Sequence, residues 1–188
     1  GDGIDGHRHG AKNSISTNFT DQIEGAKTIL EPVIADAKEY YHLRGTEAHV
    51  GKSAEYEESL ARQLGAVPDR DGRHARWKMT RAFGPNKFLF NFFHHVGATS
   101  GQSKSAPISA EIHRTMTGIG RAGGKMPRCI VRSHVHYYSR ADEGFTPFLH
   151  KIDARNEIEQ FGFVAVDTDH KGDIDIKPFF TFGPRSIG

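Results

Sequence analysis

Acidic and imidazole side chains gather in four short segments of this chain: Gly1-Asp2-Gly3-Ile4-Asp5, Gly45-Thr46-Glu47-Ala48-His49, His94-His95 and Ser133-His134-Val135-His136. Carboxylate oxygens and imidazole nitrogens are ligands for divalent cations of hard to borderline character. Two of the segments directly follow apolar runs that read as β-strands. Taken singly, each is ordinary. In order along one chain, with ligand-type residues at strand ends, they point to a metal site.

Each segment has two readings. If Ser133-His134-Val135-His136 is extended, side chains alternate and both imidazoles face the same way, within reach of one or two ions; otherwise they are two exposed loop histidines. Adjacent residues of a strand face opposite ways, so His94 and His95 supply at most one ligand. Asp2 and Asp5 sit among glycines that let a backbone approach an ion closely, or they form a plain turn. His7 and His9 read as a solvated loop beside the site, with His9 a contact for substrate. Glu47 and His49 offer an oxygen and a nitrogen two residues apart, or an acidic first helical turn.

The elements that must position these residues follow from periodicity. Thr20 reads as the N-cap of a helix running to about Ala37. Ile23, Ala26, Ile29, Leu30, Val33, Ile34 and Ala37 share one face, and Pro32 marks a kink or boundary. Residues 40–44 form a short strand ending at Gly45. Residues 53–65 read as a helix capped by Ser53 and stopped by Gly65. Strands are expected at 74–83, at 87–93 ahead of His94, and at 128–133 ahead of His134. A helix is expected at 107–119, and two further strands at 161–167 and 173–182. Alternating strands and helices indicate an α/β class, in which ligands collect beyond the carboxyl ends of strands.

Composition bounds the rest. A chain of 188 residues with 36% hydrophobic and 26% charged content suits one globular domain over residues 1–188. A formal charge of +2 carries no general argument for nucleic acid. The basic run Arg70, Arg73, Arg76, Lys78 and Arg81 reads as a solvated strand face rather than a binding groove. Twelve histidines are many for this length and agree with a metal site. The one cysteine, Cys129, excludes an internal disulfide and lies in an apolar run. It reads as a reduced, buried thiol, hence a cytoplasmic location. No apolar run approaches the roughly 20 residues of a membrane helix.

The ordered blocks resemble the calcineurin-like metallophosphoesterase family, in which Asp-x-His, Gly-Asp-x-x-Asp, Gly-Asn-His-Asp/Glu, a strand-terminal His and Gly-His-x-His follow one another. The resemblance covers residues 1 to 136. It implies a central mixed β-sandwich flanked by helices, with two divalent metals at the strand ends, Mn²⁺ first and Fe or Zn²⁺ as alternatives. By the resemblance, Asp2 is the carboxylate bridging both metals. His94 is the strand-terminal ligand, leaving His95 to substrate, and His134 and His136 are the final pair. Gly45-Thr46-Glu47-Ala48-His49 replaces Gly-Asn-His-Asp, with Glu47 as the oxygen ligand and His49 as the displaced acid or phosphate-binding histidine. Ser133 replaces a glycine. The Asp-x-His block lies upstream in the family, so a chain opening on Gly-Asp reads as N-terminally truncated, lacking the first strand block.

The activity this implies is hydrolysis of a phosphoester, more specifically a phosphodiester of a nucleotide or nucleic acid. Two cations roughly 3.5 Å apart clamp the phosphate and generate a bridging hydroxide that attacks phosphorus. His49 then stabilises charge or protonates the leaving group. The competing expectation is a non-catalytic remnant of the same fold serving as an interaction module. Oligomeric state is not legible.

Overall fold

A computed structural model describes residues 2–6, 16–95, 106–134, 160–168 and 174–182, the last two segments by their backbone alone. These residues form a mixed α/β structure with small sheets, divided into two compact units: Gly1–Met79 with Phe93–His95, and Thr80–Phe92 with Val96–Gly188.

The first unit opens with a loop at residues 2–6, followed by helix α1 (Phe19–Ile34). The cap is Asn18 rather than Thr20: the Asn18 side chain accepts the Thr20 N–H at 2.9 Å. Asn at this position fills one of the donors a helix start leaves unsatisfied. Pro32 falls in the last turn, where it removes the hydrogen bond its N–H would give to the Thr28 carbonyl, and the helix ends two residues later at Ile34 rather than Ala37. One face of α1 packs through Phe19, Ile23, Ala26, Leu30 and Ile34 against Ile4, Val50, Ala54, Leu60 and Leu64. Ile29 and Val33, assigned to that face by periodicity, are instead exposed.

Strand β1 (His42–Leu43) pairs in parallel with β2 (Ala75–Arg76), His42 opposite Ala75. Between them lie a short helical turn, α2 (Glu47–Val50), and helix α3 (Glu55–Gln63). The start of α3 differs from the Ser53 cap expected. Ala54 is the N-cap residue, with φ of 52° and no side-chain cap, and its methyl is buried in the core. Gly65, at φ +69°, takes the left-handed conformation that ends the helix.

The run at 74–83 splits into β2 and β3 (Lys78–Phe83) at Trp77. A three-stranded sheet has the order β3–β4–β5, with β4 at Phe88–Phe93 and β5 at Cys129–Arg132. In the second unit α4 (Ala106–Arg121) packs Ile108, Ile112 and Met116 on Ile130. Arg132, almost wholly buried, ties this unit together. Its Nε donates to Glu111 Oε1 at 3.0 Å and its Nη2 to Asn91 Oδ1 at 2.8 Å and Thr115 Oγ1 at 3.0 Å. Burial pushes the Arg132 pKa down, against the opposing pull of Glu111. Strands β6 (Gln160–Thr168) and β7 (Ile174–Phe182) form an antiparallel pair with Phe163 opposite Phe179. Among the described residues no helix is long and apolar enough to cross a membrane.

Candidate metal centre

The site in the first unit starts from the 2–6 loop, which the core holds at three points. Ile4 is buried against Ile23, Val50 and Leu60. The Asp5 and Gly6 N–H groups donate to Gln22 Oε1 at 3.0 and 2.9 Å, while Gln22 Nε2 donates to Ser16 O at 2.7 Å. The Gly3 N–H donates to Glu57 Oε1 at 3.0 Å. So α1 and α3 together fix where Asp2 stands.

Glu57 also sets the opposing loop. Its Oε2 accepts the Gly45 N–H at 2.6 Å and its Oε1 accepts His42 Nε2–H at 3.1 Å. With that proton on Nε2, His42 Nδ1 is left to accept from the Tyr40 hydroxyl at 2.6 Å. Burial raises the Glu57 pKa, but the bonds from His42, Gly3 and Gly45 outweigh it, so the carboxyl lies below its ordinary value. Burial and the facing Glu57 push Tyr40 up to about 12. A buried carboxylate with this many donors is the stable form of such a group.

Two loops thus converge on Asp2. Its Oδ1 accepts the Thr46 N–H at 3.0 Å. Its Oδ2 accepts His94 Nε2–H at 2.7 Å, and His49 Nε2 lies 3.9 Å from the same oxygen. His49 Nδ1 lies 3.3 Å from the Asp5 carbonyl. The fit leaves no room for side chains on the two glycines: a Cβ at Gly45 would fall 2.0 Å from Asp2 Oδ1, and one at Gly6 1.8 Å from His49 O. Asp2 itself takes φ of 50°, a left-handed conformation costly for a non-glycine residue. Burial raises the Asp2 pKa, but the bond and charge of His94, then His49 and the Thr46 N–H, bring it down to about 2. Near neutrality Asp2 is therefore an ionised oxygen donor.

A carboxylate oxygen and an imidazole nitrogen are donor types that divalent cations take. Two ligands at right angles on bonds of about 2.1 Å stand about 3 Å apart, close to the 2.7 Å between Asp2 Oδ2 and His94 Nε2. A cation would take the place of the shared proton, as metal binding at histidine and carboxylate sites generally does.

The residues singled out from sequence fall as follows. Asp2, His49 and His94 come together in the first unit. His94 is buried and His95 exposed; both lie past the end of β4, so strand alternation does not apply to them. Glu47 opens α2 with an exposed side chain. It lines a cleft with Arg44, Thr46, Trp77, Phe93, His94 and His95. His134 belongs to the second unit, two residues beyond β5, with φ of 79°. A φ of this sign is not that of an extended strand residue. His9 and His136 lie outside the described residues.

Sequence reasoning missed Glu57, His42, Tyr40 and Gln22. For Glu57 a signal was present: Glu57, Leu60, Ala61 and Leu64 share the buried stripe of α3 at the i, i+3, i+4, i+7 spacing. Comparison with family models, with characterised proteins and with solved structures gives no match to this chain.

Proposed function

We propose that this chain is a metal-dependent phosphoesterase of the calcineurin-like type, acting on phosphodiesters. The observation that supports the reading is the Asp2 carboxylate, ionised and held between His94 and His49 by two loops that share Glu57. The β-sandwich flanked by helices belongs to this proposal, as does a cytoplasmic location, the latter resting on Cys129 as a buried thiol in β5.

Asp2 and His94 would hold metal, joined by Glu47 on the strength of its place in the sequence order. When bound, two cations, Mn²⁺ first, with Fe or Zn²⁺ as alternatives, would neutralise the phosphate and acidify a water molecule. The chain's own part is clear in kind. Asp2 stays ionised, and Glu57 keeps the Gly3 and Gly45 loops from drifting apart. His49, on the turn of α2, gives a proton to the leaving-group oxygen. His9 and His95 contact substrate.

Hydrolysis of bis(p-nitrophenyl) phosphate by the purified protein tests the reading. Turnover should require added Mn²⁺ and stop with a chelator. Turnover indifferent to the chelator would remove the metal from the mechanism. Absence of turnover with Mn²⁺, Fe²⁺ and Zn²⁺ alike would favour the non-catalytic remnant.

A further inference from the structure

The cleft that begins at His94 has walls the metal ligands do not explain. It encloses about 190 Å³ and is lined by Arg44, Thr46, Trp77, Phe93, His94 and His95 among others. Ligand pockets for whole small molecules run to roughly 300–1,000 Å³, so this one takes a ring-sized group and not an entire substrate. Its floor is aromatic. Trp77 is 46% exposed, unusual for the largest apolar side chain. It packs on Phe93 with ring centres 5.2 Å apart, and the Arg44 guanidinium carbon stands 4.6 Å over the indole.

Two polar atoms of the same wall lack a hydrogen-bond partner among the described residues: Arg44 Nε and Thr46 Oγ1, both buried. Arg44 has five N–H donors. Its one side-chain hydrogen bond among the described residues is a long one, Nη2 to the Lys52 carbonyl at 3.4 Å. Both atoms are closed to solvent, so what a ligand meets is the rest of the guanidinium and the exposed indole. A flat ring carrying nitrogen and oxygen acceptors would stack on the exposed indole and accept, in its own plane, from Arg44 N–H groups that a plain hydrocarbon ring would leave unsatisfied. Nucleobases have that chemistry, and stacking on aromatic and arginine planes is how unpaired bases are bound.

We infer that the Arg44–Trp77–Phe93 cleft binds the base of a nucleotide whose phosphate lies toward Asp2 and His94. The inference rests on the phosphoesterase reading only for the direction of the phosphate. His94 lines the cleft and bonds Asp2, so base and phosphate sites adjoin.

Trp77 is the sole tryptophan, so its emission reports the cleft directly. AMP and ribose 5-phosphate are titrated in chelator, where no turnover occurs. AMP should quench Trp77 emission to saturation, and ribose 5-phosphate, which has the sugar and phosphate without the base, should not. Arg44→Ala should weaken AMP binding about tenfold, with an unchanged circular dichroism spectrum. Equal responses to AMP and ribose 5-phosphate, or AMP binding unaltered in Arg44→Ala, would overturn the inference. The two readings fail separately. Saturable AMP quenching without hydrolysis of any ester leaves the base cleft and removes the phosphoesterase. Metal-dependent hydrolysis with no effect of AMP on Trp77 does the reverse.

Discussion

The Gly45 N–H donates to Glu57 Oε2 at 2.6 Å from a position where any side chain on Gly45 would collide with Asp2. Glu57 is 0% exposed, and its other oxygen accepts the Gly3 N–H. One carboxylate of the core therefore sets the spacing between the loop that carries Asp2 and the loop that leads to Thr46, Glu47 and His49. The candidate site is shaped by a buried carboxylate that bonds the residues next to Asp2 and Thr46.

Removing that charge should cost stability. Glu57→Gln keeps the volume but can no longer satisfy two backbone donors and His42 together. Breaking one side of a buried charged network costs roughly 3–5 kcal/mol. Urea unfolding of Glu57→Gln should show a lower midpoint with the same slope. A midpoint equal to wild type would mean that Glu57 does not hold the loops.

The same carboxylate makes stability depend on acid. Its folded pKa lies below its ordinary 4.5 because bonds from His42, Gly3 and Gly45 outweigh burial. Glu58 is lowered too: burial is outweighed by bonds from the His74 and Ala75 N–H groups and from the His74 ring. A depressed pKa contributes stability above the unfolded value and loses it as pH falls through the folded one. The urea midpoint should thus be nearly flat from about pH 7 to about pH 5 and fall below about pH 4.5. Glu57→Gln should reduce the slope of that fall. An identical acid slope in wild type and variant would place the titration elsewhere.

What the sequence made legible was periodic. Most of the apolar stripe of α1 and the strand before His94 follow from spacing. What it hid was polar and non-local. Glu57 looked like a surface residue because glutamate in a helix usually is one, and only its partners 12 and 54 residues away justify its burial. The two-residue strands β1 and β2 are too short to carry a pattern, and their parallel pairing joins His42 to Ala75 across α2 and α3. Asn18 outcompeted Thr20 as a cap because its side chain reaches the Thr20 N–H, which a sequence containing both does not decide. Of the site, the presence of Asp2, His49 and His94 was readable. The backbone strain at Asp2 and His134 was not, since nothing in an aspartate or histidine announces a positive φ.

Gly45 gives a test of geometry without touching charge. Gly45→Ala would put a methyl carbon 2.0 Å from Asp2 Oδ1 and 2.5 Å from Asp2 N, and backbone cannot yield as a flexible side chain does. Overpacking of this kind costs about 1–3 kcal/mol. Mn²⁺ affinity, read by isothermal titration calorimetry, should fall with it. Gly25→Ala is the control: it lies in α1 with nothing within 4 Å of the new methyl, and should raise stability by about 0.5–1 kcal/mol. Equal effects at the two positions would show that close approach at Gly45 is not what matters.

Asp2→Asn separates the donor from the loop it anchors. The amide oxygen can still accept the Thr46 N–H, so the loop should stay in place and the circular dichroism spectrum should match wild type. The anionic oxygen beside His94 and His49 is lost, and with it the group that makes this spot attractive to a cation. Calorimetry should show Mn²⁺ binding weakened by roughly 100-fold, and turnover of bis(p-nitrophenyl) phosphate should fall at least as far. Asp2→Ala should lose both the metal and some loop stability, because the Thr46 N–H then has no carboxylate to meet. If Asp2→Asn binds Mn²⁺ as wild type does, the cation is held by other residues. The Asp2–His94 pair would then be a structural hydrogen bond and not a metal centre.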